Sequence, residues 1–217
     1  VTWTGNGSSS ASVGHGLNAA LDFIITKGRS GANEWNIKHS SLPSNHNLQF
    51  VTAGSSDASN YNSGGIANLT SSSTFGFVSG NSGVNNVNAN GTTYVAYCFT
   101  AIAGYSSIGE YDGNGSTDGP FIHTGFRVAF LLLKCRTATE LWMMHDSTRD
   151  PDNVVSKLIQ PHTSDAEIDS VTNYGVDFLS NGFKFRSSSN RNNGSGKSYI
   201  YLAFAENPFQ ANGGLAR

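Results

Sequence analysis

The chain has 217 residues, of which only 13% are charged, and a formal net charge of -2 at pH 7. This length allows one large or two compact domains, each with a core that needs no disulfide. Lys and Arg are scattered rather than clustered, so the sequence lacks the basic stripe that gathers phosphates and argues against nucleic acid as a partner. No apolar run approaches the roughly 18 residues of a membrane span, so membrane insertion is not expected.

The first residue of the chain bears on whether it was cut from a longer protein, and the two cysteines bear on whether it folds in an oxidising compartment. The chain begins at Val1 without an initiator Met or a signal segment, and we expect it to be a piece of something longer. Cys98 and Cys135 stand in apolar stretches, where buried free thiols are common. No feature indicates an oxidising compartment, so free thiols are favoured over a disulfide.

Strand-like segments of the first half lie near residues 2–5, 20–27, 34–39, 47–52, 74–79 and 92–103. In EWNIKH, Trp35 and Ile37 alternate with polar residues, the period of a half-buried strand. Continuous apolar runs such as FII and FLLL predict strands buried on both faces. A helix is predicted at 151–159, PDNVVSKLI, where apolar residues have helical spacing. The Asn-Gly pair at Asn181 and Gly182 predicts a tight hairpin.

The second half of the chain repeats the first. WTGNG at 3–7 overlies YDGNG at 111–115, and LDFIITK at 21–27 overlies VAFLLLK at 128–134, with offsets of about 105 to 108 throughout. His15 meets His123 in the same alignment. We interpret this as a tandem duplication. The predicted fold is therefore all-β, with two similar antiparallel β-sandwich units at 1–107 and 108–217.

One polar stretch, DGNGSTD, has the composition of a cation loop. Asp112, Asn114, Ser116 and Asp118 place oxygen atoms at alternate positions, and Ca²⁺ takes about six to eight such ligands. The stretch lacks the distal Glu and the following helix of an EF-hand. A glycine-rich structural turn is favoured, and calcium remains the alternative; no other cofactor is predicted.

Aromatic side chains in polar loops are candidates for carbohydrate contact. Tyr61 and Tyr174, with their neighbours Asn60 and Asn173, lie in Asn- and Gly-containing loops, where an aromatic face and amides could hold a sugar or receptor. The two internal tryptophans instead recur within strand-like segments, which indicates core packing.

The densest charged group is His145 and Asp146, followed by Arg149 and Asp150. No Ser or Cys nucleophile accompanies it in a recognisable setting. An ion network that fixes the loop around Pro151 is favoured over catalysis, and no catalytic residue is assigned. A glycosidase would need two carboxylates flanking a cleft, which sequence cannot show.

Several long segments of the chain resemble a known type of domain. The run GYSSIGEYDGNGSTDGPFIHTGFRVAFLLLK, with DFLSNGFKFR and YIYLAFAENPF after it, resembles a duplicated β domain near the C-termini of bacteriophage tail-fibre-like structural proteins. The likeness is strongest from Gly104 to Phe209 and brings no catalytic motif. It implies a virion protein that assembles in the host cytoplasm with other virion proteins, as a homo-oligomer such as a trimer.

The combined prediction is a non-enzymatic virion module that binds a receptor, such as a host cell-surface glycan. The alternatives are a polysaccharide-cleaving enzyme of the tailspike type and a capsid-decorating protein. Two close carboxylates in a groove lined by Tyr61 or Tyr174 would favour the enzyme. A broad apolar face that matches a capsid lattice would favour decoration.

Overall fold

The structure, a computed structural model, describes residues 1–43, 46–50, 58–59, 64–67, 69–80 and 83–208. Contacts divide the chain into two compact units: the first holds described residues between Val1 and Thr100, and the second those from Ala101 onward. The expected boundary between residues 107 and 108 falls inside a strand, Ser106–Asp112, that pairs along its whole length with a strand of the second unit. Within the described ranges, no helix is long and apolar enough to span a membrane.

The first unit contains nine strands and one short helix within its described residues. They are β1 (Thr2–Thr4), β2 (Ser12–Gly14), β3 (Phe23–Gly28), β4 (Trp35–His39), β5 (His46–Phe50), β6 (Ala58–Ser59), β7 (Gly65–Ile66), β8 (Thr74–Val78), α1 (Asn85–Asn88) and β9 (Thr93–Phe99). One antiparallel sheet has the order β1-β9-β3-β4-β5-β6, and another has the order β2-β8-β7. Their inner faces share a core in which Ile24 and Ala96 of the first sheet meet Phe75 and Ile66 of the second.

The second unit, over its described residues, follows the same plan. Its elements are β10 (Ser106–Asp112), β11 (Phe121–His123), β12 (Val128–Cys135), β13 (Met143–Asp146), β14 (Lys157–Leu158), β15 (Ile168–Asp169), α2 (Val171–Tyr174), β16 (Val176–Leu179), β17 (Gly182–Phe185) and β18 (Ser198–Ala205). The sheets are β10-β18-β12-β13, β11-β17-β16 and the pair β14-β15. Leu131 and Ala203 pack against Phe178 and Phe183 in the core, so the all-β fold of antiparallel sheets is confirmed.

Strand order and register correspond between the two units. The order β1-β9-β3-β4 matches β10-β18-β12-β13, and β2-β8-β7 matches β11-β17-β16. Trp3 lies opposite Tyr94 in the first unit, as Tyr111 lies opposite Tyr199 in the second, and both ring pairs are stacked. The units therefore share a topology; their origin by duplication stays a prediction.

The predicted helix at 151–159 is wrong. Val155 forms a bridge with Val176, and Lys157–Leu158 is strand β14. The carboxylate of Asp150 accepts the backbone N–H groups of Ser156 and Lys157, which holds them outside any helical bonding pattern. Apolar spacing alone cannot separate a short buried strand from a helix.

Strand β4 is buried on both of its faces, not on one. The predicted core residue Ile37 is fully buried, but so are Asn36 and Lys38 on the opposite face. The Lys38 ammonium donates to the carbonyls of Pro43 and His46, both at 2.8 Å, which compensates for its burial. In the runs FII and FLLL, predicted to be buried on both faces, Phe23, Ile24 and residues 131–133 are buried, whereas Ile25 and Phe130 are half-buried.

Two local registers differ from the sequence alignment. Leu179 pairs with Gly182, so the hairpin loop is Ser180 and Asn181, and Gly182 begins strand β17. His15 and Thr124 are the equivalent residues. The backbone N–H of His15 donates to the Ser73 carbonyl, as that of Thr124 donates to the Asn181 carbonyl. The side chain of each residue also accepts the backbone N–H of the residue two positions further on. His15 and His123 therefore do not correspond in the two units.

Candidate functional site

The repeated Gly-Asn-Gly motif is a structural clamp in each unit. In the first, the amide Nδ2 of buried Asn88 donates to Oδ1 of Asn6 and to the carbonyl of Ser8, both at 2.8 Å. The Asn88 carbonyl in turn accepts the N–H of Gly7 at 2.8 Å. The buried Asn88 thus supplies hydrogen-bond partners to polar groups of this bend, which has no regular backbone ladder of its own.

In the second unit, Asn193 occupies the place of Asn88. Its Nδ2 donates to Oδ1 of Asn114 at 3.0 Å, to the Ser116 carbonyl at 2.7 Å and to the Ser187 carbonyl at 2.9 Å. A Cβ on Gly113 would lie 2.3 Å from the carbonyl oxygen of Gly194, so glycine is required by close approach of the backbone.

The four predicted calcium ligands have partners of their own. Asn114 Oδ1 accepts the Ser116 N–H at 2.9 Å as well as the Asn193 amide, and Ser116 Oγ accepts the Asp118 N–H. Asp112 accepts the Ser198 hydroxyl at 2.7 Å. Within the described part of the chain, no group of three His, Cys, Asp or Glu side chains is arranged to hold a metal. The stretch DGNGSTD forms the bend that the clamp holds.

Asp118 faces strand β17 rather than its neighbours in the bend. Its Oδ1 lies 2.8 Å from Lys184 Nζ and 3.9 Å from Arg186 Nη1. The hydrogen bond and charge of Lys184, with the charge of Arg186, lower the pKa of this exposed carboxyl.

Two of the predicted carbohydrate contacts, Asn60 and Tyr61, lie outside the described residues. The other two, Asn173 and Tyr174, lie in α2. The Tyr174 hydroxyl accepts Nη1 of Arg191 at 3.0 Å, and the Arg191 guanidinium lies over the ring at 5.5 Å from its centroid. The side-chain amide of Asn173 donates to Ser170 Oγ, and the backbone carbonyl of Asn173 accepts the Ser187 hydroxyl. One face of the Tyr174 ring is therefore covered by Arg191.

The predicted ion network around Pro151 is confirmed. Arg149 pairs through Nε with Asp146 and through Nη1 with Glu167, at 2.7 Å for the latter, and Nη2 donates to the Met144 carbonyl. Asp150 accepts two backbone N–H groups further along the loop. These charges hold β13, the following loop and the segment before β15 together.

His145 lies beneath this network and is fully buried. Its Nδ1 is 3.1 Å from the Lys157 carbonyl, which identifies Nδ1 as the donor, and Nε2 finds no hydrogen-bond partner among the described residues. Burial lowers the pKa of His145 to about 4, and the positive charge of Arg149 opposes protonation as well. The imidazole is thus a neutral core group at neutral pH, not a base exposed to a substrate.

The exposed side of the β11-β17-β16 sheet carries an aromatic ring that the loop-based prediction missed. Directly opposite residues of an antiparallel sheet share a face, so Phe121, Lys184 and Asp177 form one row, while His123, Gly182 and Leu179 form the next. Phe121 is 44% exposed, although its neighbour Ile122 belongs to the core. In PFIHTG, the alternation of exposed Phe121, buried Ile122 and exposed His123 is the pattern of a strand, but three residues are too few to distinguish a strand from a turn in the sequence.

The fold and these residues define an all-β protein of two sandwich units. The polar side chains of its motifs bond largely to other groups of the same unit. The chain belongs to the family of the domain of unknown function DUF7483, whose model matches residues 1–208. Neither the curated proteins nor the solved structures contain a significant match to the chain.

Proposed function

We propose that the chain is a non-enzymatic structural module of a bacteriophage virion that binds a host receptor, namely a cell-surface carbohydrate. The module would work in the assembled particle beside other virion proteins, as a homo-oligomer such as a trimer. The proposal rests on the resemblance of residues 104–209 to tail-fibre-like domains together with the distribution of polar groups.

The observation that carries the choice of binding over catalysis is how the candidate catalytic groups are used. His145 is buried and neutral, Asp146 and Arg149 are joined to each other, and Asp150 accepts backbone N–H groups. A general base must reach a substrate proton, directly or through one water. These side chains instead hold a loop, whereas the ring of Phe121 on strand β11 is exposed.

The test is binding of the fluorescently labelled chain to intact bacterial cells and to purified surface polysaccharide, with release of reducing ends followed in the same tube. Saturable binding without release is expected. Release of oligosaccharide would favour the tailspike-type enzyme, and the absence of binding to any cell type tested, with binding to purified capsids instead, would favour the decorating protein.

A further inference from the structure

We propose that the exposed side of the β11-β17-β16 sheet is a binding site for neutral pyranose sugars, with the Phe121 ring as its platform. We call this surface the Phe121 face. Its members are the two rows across the sheet and the charged side chains at one end: Phe121, His123, Leu179, Gly182, Lys184, Asp177, Asp118 and Arg186. The inference rests on the proposed carbohydrate-binding function and names the surface and the class of sugar.

The Phe121 ring is held by the backbone beneath it. A Cβ placed on Gly182 would lie 2.1 Å from the Ile122 carbonyl oxygen and 2.9 Å from Cε2 and Cζ of the ring, so the ring lies across a position that the backbone already restricts to glycine. One face of the ring packs on the strand, which fixes it, and the residue remains 44% exposed. A ring fixed in this way loses little conformational freedom when a ligand stacks on it.

Of the polar groups beside the ring, Asp118 is the one most open to hydrogen bonding, since the Lys184 side chain is 24% exposed and Asp177 is buried. Lys184, directly opposite Phe121 on the neighbouring strand, pairs with Asp118, whose side chain is 82% exposed. The apolar C–H face of a pyranose can pack on an aromatic ring while its equatorial hydroxyls donate to a carboxylate and accept from an ammonium. Hydrogen bonds to charged groups are stronger than those between neutral groups, which suits a ligand rich in hydroxyls.

The charges of the face decide between neutral and charged ligands. Two cations and two anions balance, because Lys184 pairs with Asp118 at 2.8 Å and Arg186 pairs with Asp177 at 2.6 Å. An anionic ligand would have to displace Asp118 from Lys184, and a cationic one would have to displace Lys184 from Asp118. A neutral polyhydroxylated ligand can bond to the pair without separating it.

The corresponding face of the first unit provides an internal comparison. The row equivalent to Phe121 and Lys184 contains Ser12 and Gly76, and Thr74 stands where the second unit has Gly182. That face therefore offers neither the ring nor the ammonium, and it has no glycine at the position equivalent to Gly182. The scaffold does not require an aromatic residue at this position.

The experiment is a ¹⁵N NMR titration of the full chain with neutral oligosaccharides of glucose, galactose, mannose, rhamnose and N-acetylglucosamine, and with a polyuronate as the charged comparator. We expect at least one neutral sugar to shift the amide signals of 121–123 and 182–184 more than the polyuronate does. The Phe121→Ala variant should weaken that binding about tenfold. Tyr97→Ala, which removes an exposed aromatic side chain from β9, should leave it unchanged.

The outcomes separate this site from the wider function. If no sugar in the panel shifts these amides at about 10 mM, or if Phe121→Ala binds as the parent does, the Phe121 face is not the site. If the parent binds cells and Phe121→Ala binds them equally, the receptor role stands and this assignment fails. If the same amides shift with protein concentration alone, a second copy of the chain covers the face, which also overturns it.

Discussion

Replacement of the buried His145 by Gln should remove an acid sensitivity from the stability of the second unit. The folded environment lowers the pKa of His145 from 6.5 to about 4, because burial penalises the imidazolium and Arg149 repels it. Asp146 and Arg149 on the same loop, and Asp150 beyond them, are the charged groups that act on the imidazole. The unfolded chain therefore binds a proton at a higher pH than the folded chain does.

The sign and size follow from this difference. The stability that the neutral imidazole contributes is present above the unfolded pKa of 6.5 and is lost as the pH falls toward the folded value of about 4. The full loss is about 3 kcal/mol, of which about 2 kcal/mol is reached between pH 7.5 and pH 5. At pH 5 the folded carboxyl groups whose pKa is lowered, Asp118 and Asp146, are still ionised, so they add little in this window.

The assay is urea unfolding of the full chain at pH 7.5 and pH 5, followed by circular dichroism and by tryptophan fluorescence, since buried Trp142 reports on β13. His145→Gln should retain a donor to the Lys157 carbonyl and should reduce the loss of unfolding free energy between the two pH values by about 2 kcal/mol. His123→Gln, at an exposed position, is the matched control and should leave the loss as it is. Equal losses in the parent and in His145→Gln would refute the reasoning.

Three further results are expected. Asn193→Ala should lower the free energy of unfolding of the second unit by about 2 to 4 kcal/mol, measured by urea unfolding, because the buried Ser187 carbonyl loses its donor and the bend loses its bonds to Asn114 and Ser116. Gly113→Ala should lower the melting temperature by several degrees, since its Cβ would meet the Gly194 carbonyl oxygen at 2.3 Å; an unchanged value would contradict the required close approach. Asp118→Asn should leave the melting temperature nearly unchanged, as expected for an exposed ion pair with Lys184, and a rise in the parent's melting temperature on adding CaCl₂ that this variant lacks would instead establish a cation site at the bend.

The sequence predicted the long strands well because each carries enough residues for its period to be visible. The segments near 20–27, 34–39, 74–79 and 92–103 correspond to β3, β4, β8 and β9. The strands it missed in the first unit, β2, β6 and β7, have three residues or fewer, and their existence depends on pairing with other segments of the chain. The same limit explains the error at 151–159, where backbone bonds to Asp150 and Val176 determine the conformation.

Less of the candidate site can be predicted from sequence, because residue type does not reveal which polar groups already have partners within the protein. Asn114 has the chemistry of a calcium ligand, yet its Oδ1 accepts two N–H donors within the protein. Tyr174 has the chemistry of a sugar platform, but Arg191 covers one face of its ring. Phe121 has the chemistry of a core residue and stands exposed, since it is directly opposite Lys184 on the outer face of the sheet.

Comparison of equivalent positions in the two units shows which residues the fold requires and which positions accept different residues. Where the backbone approaches closely, both units have the same solution: Gly5 and Gly113 each lie against a carbonyl oxygen, and a buried asparagine holds each bend. The units diverge at one outer position of the three-stranded sheet, which is Ser12 in the first unit and Phe121 in the second, although Gly182 beside Phe121 is required because its Cβ would lie 2.1 Å from the Ile122 carbonyl oxygen. Single exposed apolar side chains are common on protein surfaces, so the sugar titration of the parent and of Phe121→Ala, and not the exposure of the ring, is what assigns a ligand to this position.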